Sequence, residues 1–477
     1  MVGLARDEIS SRQPAMPQPA RQPSPTRRRR PSKSSDSVSE SAPKPSQRER
    51  LLDAMIELCA TRGYQGVSIA QVSSHAGVSS ATFYKQFDSK EDCLLAAYRA
   101  ARERMFEQVL SVVGTSGWSD AGRATLSGLF NGLQADPNAG RVLFIEALAA
   151  GPLLGEERQR VLAEFEQRLQ DSLDRTRKDG NTLDIPAIAL VGAVRSIVSR
   201  RLRTNAEDQL PLLVDDMVKW LESYAFPAGG AHWSTSARAL VPVAKERAPT
   251  PGAPAPVRLP RGRHGLPAGM VARSQRTRII YATAEVTMVK GYASTTVTDI
   301  VARAGIARDV FYEHFRDKQH AFLEAQQHPT QHILDTCAAA YFSAQDWPER
   351  VWRSVGALLE MIASNPAISH LRLVECYAAG PAAIRRAEEI TRSFTIFLEE
   401  GYGYRPQGRE LPRLCSEAIA GAIFEEIQRH AARGELAALP RQLPQLIYIA
   451  IAPFTGPEEA IRVVEQLSAE QLATSRS

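Results

Sequence analysis

The chain has 477 residues, a mass of 52.3 kDa, 44% hydrophobic and 23% charged residues, and a formal net charge of +5. At roughly 100–200 residues per domain this allows about two to four folded units of globular composition, and no apolar run reaches the roughly 20 residues of a membrane-spanning helix. Cys59, Cys93, Cys337, Cys376 and Cys415 are odd in number and lack C-x-x-C spacing, which excludes a disulfide- or metal-stapled scaffold and, with a start that carries no hydrophobic signal segment, points to a cytoplasmic protein without membrane partner, metal or cofactor.

Residues 1–45 read as a disordered basic arm. Eight prolines fall in the first 46 residues, and the first 50 carry eleven Lys/Arg against five Asp/Glu, with Arg27, Arg28, Arg29 and Arg30 in a row. Residues 227–273 read as a Pro-rich basic linker for the same reason: the stretch 227–275 holds eight more prolines and seven Lys/Arg against one Asp/Glu. Proline lacks the backbone donor that helix and sheet both use, and such composition leaves little to bury. The positive charge sits in these two segments, so the folded remainder is acidic. Such arms draw in phosphate without reading sequence, or serve only as solubilising tails.

Between and after them lies an internal repeat. Residues 46–91 and 274–319 align without a gap at an offset of 228, with Gly63/Gly291, Tyr64/Tyr292, Ala76/Ala304, Gly77/Gly305, Phe83/Phe311, Tyr84/Tyr312, Phe87/Phe315 and Lys90/Lys318 identical. The similarity continues weakly. Ala149-Ala150-Gly151-Pro152 returns as Ala378-Ala379-Gly380-Pro381, and Glu146 and Glu375 each stand five residues before the glycine. The chain therefore reads as two related all-α units, each a head (46–91 and 274–319) followed by a helical body (92–226 and 320–477).

In the first head, Leu51, Leu52, Met55, Ile56 and Cys59 share one face of a predicted helix that stops at Gly63. Ser68 with Gln71, and Thr296 with Asp299, are start signals for a short second helix that ends at Gly77 or Gly305. Two short helices joined by a glycine turn make a helix-turn-helix. Ser79 caps the third helix, on which Phe83 and Phe87, four apart, face the core. Ser80, Ala81, Thr82, Tyr84 and Lys85 are left on its other faces, and small residues at its start suit close approach to a DNA major groove. Lys90 and Lys318 open a fourth helix beside Ser89 and Asp317, where free N–H groups and a cation would hold a phosphate. Tyr84 and Tyr312 would add a hydroxyl to the DNA backbone.

This run of residues, from Gly63-Tyr64 through Ser68, Ala76-Gly77-Val78 and Phe83-Tyr84 to Phe87 and Lys90, returns from Gly291-Tyr292 through Thr296, Ala304-Gly305-Ile306 and Phe311-Tyr312 to Phe315 and Lys318. It resembles the N-terminal domain of the tetracycline-repressor (TetR) family. The resemblance covers both heads, about a fifth of the chain. It implies three-helix DNA-binding heads, each joined by a fourth helix to a ligand-binding and dimerisation body, and hence a ligand-responsive transcriptional repressor whose partners are double-stranded DNA and a small-molecule effector. The family's usual histidine before the last Phe is His314 in the second head, which the resemblance makes a further DNA contact, and Gln86 in the first. Where the first head has Ser79-Ser80-Ala81-Thr82, the second has Ala307-Arg308-Asp309-Val310. That loses the cap, and Asp309 would face a polyanion unless it accepts from a cytosine amine. Because one chain owns two heads, an intrachain pseudo-dimer on an imperfect palindrome with unlike half-sites is expected, a homodimer of chains being the other arrangement.

The bodies carry fewer signals. Phe144, Leu148, Trp347 and Trp352 fit an ordinary core. Arg195, Arg200, Arg201 and Arg203 fit a solvated helix face or an interface ion-pair set, and His430 lacks metal-ligand spacing. The Ala-Gly-Pro corners fit a break between helices. No phosphate-binding glycine loop, nucleophile elbow or paired-acid motif occurs, so no enzyme is expected. Two other functions stay open: a ligand-sensing or scaffold protein in which only the first head binds DNA, and a non-specific architectural binder driven by the basic segments.

Overall fold

The computed structural model describes residues 45–110, 118–150, 152–178, 182–226, 233 and 266–476. The basic arm around Arg27 to Arg30 and most of the expected linker lie outside them. Each head forms as its local signals dictate. Ser46 caps Gln47–Arg62 in a full capping box with Glu49, and Gly63, at φ +72°, ends that helix. A 3-10 turn, Tyr64–Gly66, leads to Ile69–His75 and Ser80–Gln86, and then to the connector helix Lys90–Leu110. The second head repeats this with Ala268–Lys290, Val297–Ala304, Arg308–His314 and the shorter connector Lys318–Gln327.

Ala268–Lys290 starts before residue 274, the expected start of the second head. Pro267 stands at its N-cap and the residues after it contain no further proline to stop a helix. The disorder expected for 227–273 also fails at Trp233. Its ring is buried and stacks on Tyr448 with centroids 4.5 Å apart, and its N–H donates to the Asp184 carboxylate.

The first body contains Trp118–Ala135, Pro152–Lys178, Ala187–Arg203 and Val214–Glu222. A two-residue antiparallel ribbon, Thr182–Leu183 with Ala225–Phe226, is a small addition to an otherwise all-helical architecture. The second body contains Thr330–Tyr341, Trp347–Ser364, Pro381–Ser393, Leu414–Ala432, Leu443–Thr455 and Pro457–Arg476. In both bodies the segment ending in the repeated glutamate is a π-helical turn, Val142–Glu146 and Leu371–Glu375.

The two bodies pack on each other through Ala187–Arg203 and Leu414–Ala432, which are equivalent in the repeat. Glycine makes the approach possible. A Cβ on Gly421 would lie 2.4 Å from Ser196 Cβ, and one on Gly192 would lie 2.8 Å from Glu425 Cβ and 3.2 Å from Ala422 Cα. Around this crossing the four arginines of the first helix form an interface ion-pair set. Arg195 pairs with Glu425 and Arg203 with Glu388, Arg201 reaches Glu417 at 2.5 Å, and Arg200 reaches it at 3.0 Å. Arg429 returns the contact to Glu166 at 2.7 Å. Pairs removed from water in this way define register more than they add stability. Beside them the Tyr224 hydroxyl donates to the Ile449 carbonyl at 2.7 Å, and that of Tyr448 to the Asp184 carbonyl at 2.6 Å. One apolar cluster therefore runs from Leu51 of the first head through Phe130 and Trp220 to Ile419 and Phe454 of the second body. Phe144, Trp347 and Trp352 belong to it, whereas the second head has a cluster of its own around Ile280, Phe311, Phe315 and Phe322. All five cysteines are buried free thiols, pushed up to about 12 by burial.

Candidate nucleic-acid interface

The first head presents its third helix outward. Phe83 and Phe87 are buried, which turns Ser80, Ala81, Tyr84 and Lys85 to the surface, and Tyr84 is 58% exposed. Ser79 performs the predicted capping: its hydroxyl oxygen accepts from the Thr82 N–H at 3.1 Å and lies 3.0 Å from the Thr82 hydroxyl. Thr82 is half-buried and partly spent on this contact. Ser68 sits in a complete capping box, its oxygen accepting from the Gln71 N–H at 3.3 Å. The support helix turns into the third helix at Gly77, whose φ of +62° is the left-handed conformation that glycine adopts without strain.

The second head keeps the scaffold and changes the tip. Thr296 and Asp299 form a reciprocal capping box, and Asp299 also takes a 2.6 Å ion pair from Lys290; these hydrogen bonds hold its carboxyl down at about 2. Gly305 repeats the left-handed turn at φ +63°. Ala307 then leaves the third helix without a side-chain cap. Arg308, Asp309 and Tyr312 are exposed, with the Arg308 guanidinium lying 5.9 Å from the Tyr312 ring centre.

Three of the expected contact residues are used differently. Lys90 does not stand free at the start of its helix: its ammonium donates to the carbonyls of Tyr64 and Val67, each at 3.0 Å, and sits 4.0 Å over the Tyr64 ring. Lys318 does the same with Tyr292 O at 2.8 Å and the Tyr292 ring at 4.3 Å. Burial lowers both ammonium pKa values. The physical reason is that the carbonyls ending the preceding turn face this helix start, and a long flexible cation satisfies them. His314 is half-buried, with Nε2 turned to Gln275 Oε1 at 3.4 Å in the scaffold helix.

A DNA-binding reading therefore rests on two outward third helices on matching scaffolds. The family described as "Bacterial regulatory proteins, tetR family" matches the chain twice, at residues 51–97 and 279–325. Both heads are thus similar to the N-terminal domain of that family, which the chain carries twice. The HTH-type transcriptional activator FasR of Mycolicibacterium smegmatis is 22% identical over 155 residues, which is 32% of this chain and 59% of FasR, so the chain spans about 59% of that relative's length. Among solved structures, the fatty acid degradation regulator FadR of Bacillus halodurans is 20% identical, covering 38% of this chain and 96% of its own, with a TM-score of 0.34. FadR of Bacillus subtilis, solved in complex with stearoyl-CoA, is 18% identical, covering 36% and 96%, with a TM-score of 0.33. No helix among the described residues is long and apolar enough to cross a membrane.

In this chain the residues that join head to body went unrecognised in the sequence. Glu146, at the end of its π-turn, accepts the Tyr64 N–H at 2.7 Å, and Glu375 accepts the Tyr292 N–H at the same distance. The peptide of each tyrosine is thus gripped twice, its N–H by the body and its carbonyl by the connector lysine. Gln65 Nε2 adds a bond to Ala149 O at 3.2 Å and Gln319 Nε2 one to Ala379 O at 3.3 Å. The signal for this joint was present, since both glutamates recur at one distance from the Ala-Gly-Pro corner. Nothing local tied them to a partner 82 or 83 residues away.

Proposed function

We propose that one chain binds one operator as an intrachain pseudo-dimer, its unlike heads reading the two half-sites of an imperfect palindrome, and that it acts as a repressor released by a ligand bound in a body. The observation that carries this is the glycine crossing of Ala187–Arg203 on Leu414–Ala432, where two equivalent helices of one polypeptide meet as the two halves of a dimer interface would. Two-fold readers place their helices about 34 Å apart on successive major-groove faces. In vitro selection of bound duplexes, followed by measurement of chains per duplex, tests it. The expected result is two unlike half-sites and one chain per duplex; two chains per duplex would overturn it.

Ser80, Ala81 and Lys85 in the first head, and Arg308 and Asp309 in the second, are assigned to base edges. Ser68, Ser79, Thr82, Thr296, Tyr84 and Tyr312 are assigned to positioning on phosphate. Changing Lys85 or Arg308 should alter the preferred sequence at a cost of about 1–3 kcal/mol at its own base pair, while Tyr84→Phe should weaken all sequences alike. The uncapped Ala307 and exposed Asp309 favour one rival, in which only the first head binds DNA. A selected site with a single half, unaffected by Arg308→Ala, would establish that rival. Ligand control requires the effector to favour one head arrangement over the other, because equal affinity for both shifts nothing.

A further inference from the structure

The second body holds a partly open cavity of about 440 Å³ that reaches from the second head's scaffold helix to the helix at the body–body crossing. Its walls are mainly apolar, with Leu358, Phe394, Ile423 and Phe424 among them. Two polar groups in this lining are poorly satisfied. The Arg372 guanidinium has one long contact, 3.5 Å to Thr330 Oγ1, and joins no salt bridge among the described residues. Burial drags its pKa down to about 10. The Gln326 amide donates to the Ala383 carbonyl at 2.9 Å, but its oxygen is buried without a partner. A guanidinium carries five donors in a fork that matches a carboxylate, and leaving such a charge unpaired in an apolar wall is costly.

The repeat sharpens the point. Three residues before Glu375 stands Arg372, whereas three residues before Glu146 stands the buried Leu143. The charge is therefore no requirement of the π-turn or of the joint it ends in. Arg372 lies one turn from the glutamate that holds Tyr292, and Gln326 lies on the connector helix, so an occupant touching both would bear on the second head.

We propose that the second body binds an aliphatic monocarboxylate, its chain along the apolar walls and its carboxylate on Arg372. This deepens, and rests on, the assignment of the bodies as sensors. Titration calorimetry of the full-length chain with dodecanoate, its methyl ester and dodecanoyl-CoA tests it. Dodecanoate should bind saturably, at least about tenfold more weakly to Arg372→Leu, and the methyl ester should bind weakly and be indifferent to that change. Leucine is the residue the first body holds at this place, and Leu358→Trp, which fills the cavity and keeps Arg372, should also abolish binding. Equal binding of dodecanoate to wild type and Arg372→Leu, an ester as tight as the acid, or Arg372-dependent binding of the thioester above the acid would each overturn the assignment. Addition of dodecanoate to the protein on its selected duplex separates the two ideas. Binding without a change in DNA affinity would keep the ligand site and overturn the sensor role, whereas intact duplex binding with no dodecanoate bound would overturn the ligand class alone.

Discussion

The two heads differ least where they meet their bodies and most where they face outward. Tyr64 and Tyr292 make the same 2.7 Å bond to a body glutamate, and Lys90 and Lys318 return to the carbonyls of those tyrosines. Fifteen residues further along, one third helix starts on a hydroxyl cap and the other on Ala307. The joint is a mechanical part whose groups pair across head and body, so a change there costs a partly buried hydrogen bond. The outward residues make few internal contacts and are free to diverge.

The largest effect is expected from parting the bodies that hold the heads. Gly421→Val drives a side chain into Ser196 and the backbone of Gly192, and should cost about 3 kcal/mol or more by overpacking. Thermal unfolding should show the loss, and small-angle scattering an expanded particle.

Next in size are the joints themselves. Glu146→Ala and Glu375→Ala each orphan a tyrosine N–H and should each cost about 1–3 kcal/mol in denaturant unfolding. Equal costs would support one shared part, and a joint that matters in only one half would break the parallel. Lys90→Ala should likewise reduce stability with no DNA present, since its ammonium holds two carbonyls within the head.

A cap swap is smaller and sharper. Ser79→Ala should destabilise the first head by about 1 kcal/mol, and Ala307→Ser should return about as much to the second. Amide exchange localised to each third helix would reveal it, and an unchanged second head would show that more than a hydroxyl separates the tips.

The smallest effect is in pH. Burial raises the Glu146 carboxyl above its ordinary 4.5, with the Tyr64 N–H pulling the other way. Between the ordinary and the raised value the folded state holds more protons than the unfolded state, so stability falls as pH rises through that window. Glu146→Gln, uncharged throughout, should flatten this slope in unfolding curves taken across the window.

The heads were legible because their signals are local. The capping boxes at Ser68 and Thr296, the glycine turns at Gly77 and Gly305, and the Phe83/Phe87 and Phe311/Phe315 pairs each act within a few residues. The same locality explains why the partners of Lys90 and His314 went unforeseen: the window showed a helix start and a family position, but the carbonyls and the amide they meet come from other segments of the chain. Trp233 was hidden in a proline-rich stretch because its partners, Asp184 and Tyr448, lie far from it along the chain.

By itself the sequence determined two all-α units with duplicated helix-turn-helix heads, since helix caps, turns and aromatic spacing are properties of short stretches. Only the tertiary structure decided that Gly192 and Gly421 let equivalent helices cross, that Glu146 and Glu375 hold the heads, and that Arg372 stands unpaired in an apolar cavity. A glycine, a glutamate or an arginine carries no mark of what lies opposite it, and the energy of each depends on that neighbour.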